Sequence, residues 1–153
     1  MKIYKDFIIV KALNRDRDLG LRIIKNKLYI SILLYNKRKN IYEYECNEVL
    51  IYDTDKLMTK LVDVMNNIEN NIFYNDKRNK QDILMKLIYY NKAFKLNNTL
   101  KLSLYSYIGV NDTVHSSITI SIDSARNLYK LLNSIKLFQN SNITKEKKCF
   151  RGE

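Results

Sequence analysis

Leu28-Tyr-Ile-Ser-Ile-Leu-Leu-Tyr35 and Thr99-Leu-Lys-Leu-Ser-Leu-Tyr-Ser-Tyr107 are the stretches whose reading decides how this chain folds. In the first, Leu28, Ile30, Ile32 and Leu34 fall on one side, and Tyr29, Ser31, Leu33 and Tyr35 on the other. In the second, Leu100, Leu102 and Leu104 oppose Lys101, Ser103, Tyr105 and Tyr107. Such alternation predicts β-strands with one face in the core.

The neighbouring segments extend this pattern. Asp6 to Leu13 reads as a strand, ended by the charged run Asn14 to Asp18 and by Gly20. Leu21 to Asn26 is a short strand, and Asn36 to Asn40 a basic turn. Ile41 to Cys46 alternates, with Tyr42, Tyr44 and Cys46 against Glu43 and Glu45, and Val49 to Tyr52 closes the set. The period then changes. Asp53 or Thr54 is a natural N-cap, and Leu57, Met58, Leu61, Val62, Met65 and Ile68 recur at helical spacing up to Asn70-Asn71. Asn75 to Lys80 is a polar connection. Gln81 to Asn91 reads as a helix on Ile83, Leu84, Leu87 and Ile88, with a strand as the alternative. Phe94 to Leu96 precedes a break at Asn97-Asn98. Gly109 to Asp112 is a turn and Val114 to Ile122 a strand. Asp123-Ser124 caps a helix whose stripe is Ala125, Leu128, Leu131, Leu132 and Ile135. The polar tail 139–153 is expected to fray.

The two halves match at a constant offset of 70. Ile30, Ile32, Leu34 and Tyr35 fall on Leu100, Leu102, Leu104 and Tyr105. Asp53-Thr54 falls on Asp123-Ser124, and Lys60-Leu61-Val62 on Lys130-Leu131-Leu132. The expectation is an α+β fold of duplicated antiparallel sheet-plus-helix units with pseudo-two-fold symmetry. They form one compact domain over 1–138, with repeats at about 1–72 and 80–138 and helices near 53–70 and 123–137.

Composition bounds the function. The chain has 153 residues, 27 Lys+Arg against 16 Asp+Glu and a formal charge of +11, which excludes an acidic interaction module and favours an anionic partner. Lys, Asn and Ile together make 58 of the 153 residues, the signature of an A+T-rich genome, so codon bias is the alternative source of the charge. With no Pro and only 3 Gly, glycine-loop phosphate cradles have no material. Cys46 and Cys149 read as free thiols in a reducing compartment. No apolar run reaches membrane-spanning length, and Met1 to Asp6 lacks a signal-peptide core, so a soluble cytoplasmic protein is expected.

Catalytic chemistry finds few residues. His115 is the lone histidine, and Asp16 and Asp18 flank Arg17 in an expected turn, where a salt-bridged loop is the ordinary reading. No catalytic residue, cofactor or metal site is assigned. The constellation with a chemical purpose is tyrosine interleaved with cations: Tyr29, Tyr35, Tyr42, Tyr44, Tyr105 and Tyr107 beside Lys25, Lys27, Lys37, Arg38, Lys39 and Lys101. Single-stranded nucleic acid calls for this pairing, since cations follow phosphates and bases stack on aromatic rings. Half-buried sheet tyrosines are the competing explanation.

Lys25-Asn-Lys-Leu-Tyr-Ile-Ser-Ile-Leu-Leu-Tyr-Asn36 resembles a second strand of PUR repeats. Ile118-Thr-Ile-Ser-Ile-Asp-Ser-Ala-Arg-Asn-Leu-Tyr-Lys-Leu-Leu132 resembles the last strand and helix of bacterial coactivator-like proteins. The resemblance to the Whirly, PUR and transcriptional-coactivator superfamily spans most of residues 21–70 and 93–136. It implies a basic β-surface that binds single-stranded DNA or RNA. The function expected is therefore non-enzymatic binding of single strands. The alternative is a small viral or mobile-element protein that inhibits a nucleic-acid-handling partner. A second copy of the chain, joined through exposed sheet edges or helices, is a further expected partner.

Overall fold

The computed structural model describes residues 2–45, 48–68, 70–76, 80–92, 95–108 and 112–150, with the side chains of 72, 74–76, 89–92, 95–97 and 144–150 left out of the description. The turn expected at Gly109 to Asp112, the connection at Asn75 to Lys80, and Phe94 fall wholly or partly outside it, as do Cys46 and the side chain of Cys149.

Over the described residues the fold is α+β, with two antiparallel sheets and two helices. The first sheet takes β1 (Lys2–Tyr4), β2 (Phe7–Lys11), β3 (Arg17–Ile24), β4 (Lys27–Asn36) and β5 (Ile41–Tyr44) in that order, and β6 (Val49–Ile51) also pairs with β4. Helix α1 (Thr54–Met65) follows. The second sheet is ordered β10-β9-β8-β7, from β7 (Asn71–Asp76), β8 (Gln81–Lys92), β9 (Lys95–Ile108) and β10 (Asp112–Ser121), and runs into α2 (Ile122–Phe150).

With only 3 glycines in the chain, other residues take the left-handed turn positions. Lys25 and Asn26 both have positive φ, 51° and 64°, in the two-residue loop joining Ile24 to its partner Lys27. Two positive values in such a loop match the twist of the hairpin it closes. Helix α1 begins as expected, with the Asp53 carboxylate accepting from the Lys56 N–H at 3.0 Å. It ends sooner than Asn70. Asn67 adopts φ 57°, its N–H donates to the Val64 carbonyl, and the Ile68 N–H reaches back to Asp63. This pattern satisfies the last carbonyls and stops the helix.

Other expectations are corrected. Gln81 to Asn91 is strand, not helix: Ile83, Met85 and Leu87 are buried, and Leu84, Lys86 and Ile88 take the other face. Asn97-Asn98 lies inside β9 rather than between strands. Arg17 and Asp18 belong to β3, not to a turn. At the start of α2 the Ser121 hydroxyl accepts from the Ser124 N–H, two residues before the expected Asp123-Ser124 cap. The helix also continues through 139–150, where fraying was expected. The Gln139 side chain donates to the Asn26 carbonyl and accepts from the Thr54 hydroxyl, tying α2 to the β3–β4 turn and to α1.

One main core joins both sheets and both helices. Leu19, Leu21, Ile30 and Ile32 from the first sheet, Ile83, Met85, Leu102 and Ile118 from the second, Leu57 and Leu61 from α1, and Leu128 and Leu132 from α2 form a single cluster. The sheets also meet at an edge. The Leu13 N–H donates to the Thr119 carbonyl, and the Asn14 side chain accepts from the Thr119 N–H, both at 2.7 Å. Positions matched by the offset of 70 differ in two respects. Leu34 is 37% exposed where Leu104 is 2% exposed. Ile30 pairs with Val49, yet Leu100 pairs with Ile120 rather than Thr119, a slip of one residue. Among the described residues, no helix is long and apolar enough to cross a membrane.

Candidate nucleic-acid interface

Alternation sends Leu28, Ile30 and Ile32 into the core, so Tyr29, Ser31, Leu33 and Tyr35 face the other way. On that outer face Phe7, Ile9 and Leu33 form a second small apolar cluster, with Tyr4 and Tyr42 packed against it. Gly20 makes room for it. A Cβ at that position would stand 2.6 Å from Leu33 Cδ1 and 3.1 Å from Phe7 Cδ1, too close for either chain to lie flat on the sheet. Rings then meet, Tyr4 with Tyr42 and Phe7 with Tyr44 edge to face and Tyr35 with Tyr42 tilted. Tyr4 and Tyr42 centroids are 5.1 Å apart, Tyr35 and Tyr42 also 5.1 Å, and Phe7 and Tyr44 5.7 Å. Cations border the rings: Lys2 over Tyr35 and Tyr42, Lys5 over Tyr4, and Arg22 over Phe7 and Tyr44, all at 5.2–5.9 Å.

Two carboxylates fix this layer. Asp18 is buried, accepts from the Ala12 N–H at 2.9 Å and from the Tyr42 hydroxyl at 2.8 Å, and has the Lys11 ammonium at 3.9 Å. Glu48 holds the Arg22 guanidinium through two contacts, a hydrogen bond that raises the affinity of Arg22 for its proton. Burial, reinforced by the bond to Asp18, pushes the Tyr42 phenol well above its ordinary range, and burial also raises Tyr44. A phenol raised in the folded state adds stability below its unfolded pKa of about 10, and that stability is lost as pH climbs above it. Tyr42→Phe should therefore flatten the decline of melting temperature above about pH 10. Melts in alkaline buffers, with phenolate absorbance on the native protein, check this. An unchanged alkaline slope would contradict it.

The structure separates the residues that the sequence grouped. Tyr35, Tyr42 and Tyr44 come together in the outer cluster, and Tyr29 shares their face. Lys25 and Lys27 lie at one end of β4 and Lys37, Arg38 and Lys39 beyond the other, a span of about 30 Å at strand rise. Lys37 is 3.5 Å from Asp16, and Lys39 is 4.0 Å from Glu43. Arg38 has no ion pair among the described residues. Lys101, Tyr105 and Tyr107 belong to the outer face of the second sheet, so they do not extend the first patch. There the Tyr107 hydroxyl donates to Asp82 at 2.5 Å, which raises that phenol, and Tyr105 stacks on His115 at 5.1 Å. Lys2, Tyr4, Lys5, Phe7 and Arg22 belong to the cluster and were not legible as a group. The alternation of Lys2 and Tyr4 around Ile3 was their signal, but it spans only three residues.

Among the described residues, no group of three or more His, Cys, Asp or Glu side chains is placed to hold a metal ion. No protein-family model, curated protein or solved structure matches the chain.

Proposed function

We propose that the outer face of the first sheet binds single-stranded nucleic acid, DNA or RNA, without catalysing a reaction on it. The observation that carries this reading is the set of cations lying beside tyrosine and phenylalanine rings on one sheet face: Lys2, Lys5 and Arg22 against Tyr4, Phe7, Tyr35, Tyr42 and Tyr44. Phosphates neutralise lysines, and bases stack on exposed ring faces such as that of Tyr44. The net charge of +11 supports the same partner class. The resemblance of residues 25–36 to a PUR strand and of 118–132 to the coactivator-like segment supports the same reading. The reading of the two halves as diverged copies rests on the offset of 70 and on each sheet leading into a helix.

Fluorescence anisotropy with labelled single-stranded and duplex oligonucleotides at several salt concentrations tests the proposal. Single strands should bind more tightly, with a log–log salt slope of about −0.7 per phosphate contact. Lys2→Ala and Lys5→Ala should each flatten the slope by about that amount. Tyr44→Ala should instead weaken binding by about 1–3 kcal/mol at an unchanged slope. Tyr107→Phe, on the other sheet, should leave both unaltered. Absence of binding at low salt would defeat the proposal and favour a protein partner for the basic face.

A further inference from the structure

We infer that β10 is a pairing edge through which two copies of this chain join, antiparallel, around a two-fold axis. Thr119 of β10 bonds outward, to the first sheet's Leu13–Asn14 turn. Its N–H and C=O both point away from β9, because they bond to Asn14 and Leu13. In an antiparallel strand these groups alternate sides, and the β9–β10 ladder has no register shift from Asp112 to Ser121. Thr113, His115 and Ser117 therefore turn their N–H and C=O groups to the same open side. Among the described residues nothing bonds to those groups. The Leu13–Asn14 turn seals one end of this edge and leaves the other half bare.

Natural edges are commonly protected by lysine. The edge strand β1 of the first sheet carries Lys2, and Lys5 lies in the turn that follows it. β10 has no Lys or Arg in its ten residues, and its open half ends in two apolar side chains, Val114 at 41% and Ile108 of β9 at 53% exposure. The occupant is a second copy because an antiparallel edge is complementary to itself. Centred on His115, the pairing sets Thr113 against Ser117 of the other copy and brings no two Lys, Arg, Asp or Glu side chains face to face. Two four-stranded sheets thereby become one continuous sheet.

Sedimentation velocity over a range of protein concentrations tests this, at low and high salt. A concentration-dependent dimer is expected, strengthened by salt because each copy carries +11. His115→Pro removes the outward N–H while sparing the β9 ladder, and it should weaken the dimer on the order of thirty-fold. Val114→Lys should weaken it as well, through repulsion, and serves if the proline variant fails to fold. Amide exchange at residues 113, 115 and 117 should slow as protein concentration rises. A monomer at every concentration would overturn the inference, and so would a dimer indifferent to both substitutions.

Discussion

Leu61→Ala is expected to cost about 3–5 kcal/mol and to unfold both sheets in one transition. Leu61 is fully buried on α1 and lines a small apolar void of about 10 Å³. The walls of that void come from every layer: Leu19 and Ile30, Ile83 and Met85, Leu102 and Leu104, Leu57 and Leu128. Deleting the side chain enlarges a space already present, so little collapse offsets the loss, and the upper part of the usual range applies. The cost is a large share of the roughly 5–15 kcal/mol by which domains are stable. Urea denaturation followed by far-ultraviolet circular dichroism and by tyrosine fluorescence should give coincident curves. Two separated transitions would show that the sheets do not share a core.

Asp18→Ala should cost about 2–3 kcal/mol, the next largest effect. It strands the Ala12 N–H and deprives the Tyr42 hydroxyl of its acceptor. The phenol is half-buried and can turn toward water, which limits its share. Asp18→Asn keeps an acceptor oxygen and should cost markedly less. Tyr42→Phe should lose most of its own cost when made in the Asp18→Ala background, because the pair acts as one unit. If the single losses add, the hydroxyl–carboxylate bond contributes little. Because Tyr42 contacts both Tyr4 and Tyr35, the Ala variant should also loosen the outer rings and reduce single-strand binding.

Local signals were readable from the residues alone. Alternation at Leu28 to Leu33 and Leu100 to Leu104 gave the central strands, and Asp53 gave the start of α1. β8 hid its period because its outer face also carries Leu84 and Ile88, which imitate helical spacing. The turns lacked glycine, so Lys5, Lys25 and Lys80 gave no warning that they take left-handed conformations. The candidate site was half legible. Tyr35, Tyr42 and Tyr44 follow from alternation, but their neighbours Tyr4 and Phe7 follow only from register across three strand pairs. Ion pairs such as Lys37 with Asp16 join separate turns, and no spacing rule announces them.

The Asn14–Thr119 contact closes a loop of 105 residues, and Asn26 meets Gln139 across 113. The turn at Leu13–Asn14 therefore cannot be sealed until synthesis has passed residue 119. Strands β1 to β5 can pair as successive hairpins, and β6 can return to β4, while synthesis continues at about 5–20 residues per second. Their apolar face waits for cover from strands and a helix not yet made. A chain released before residue 122 would present this apolar face without the second helix that covers it.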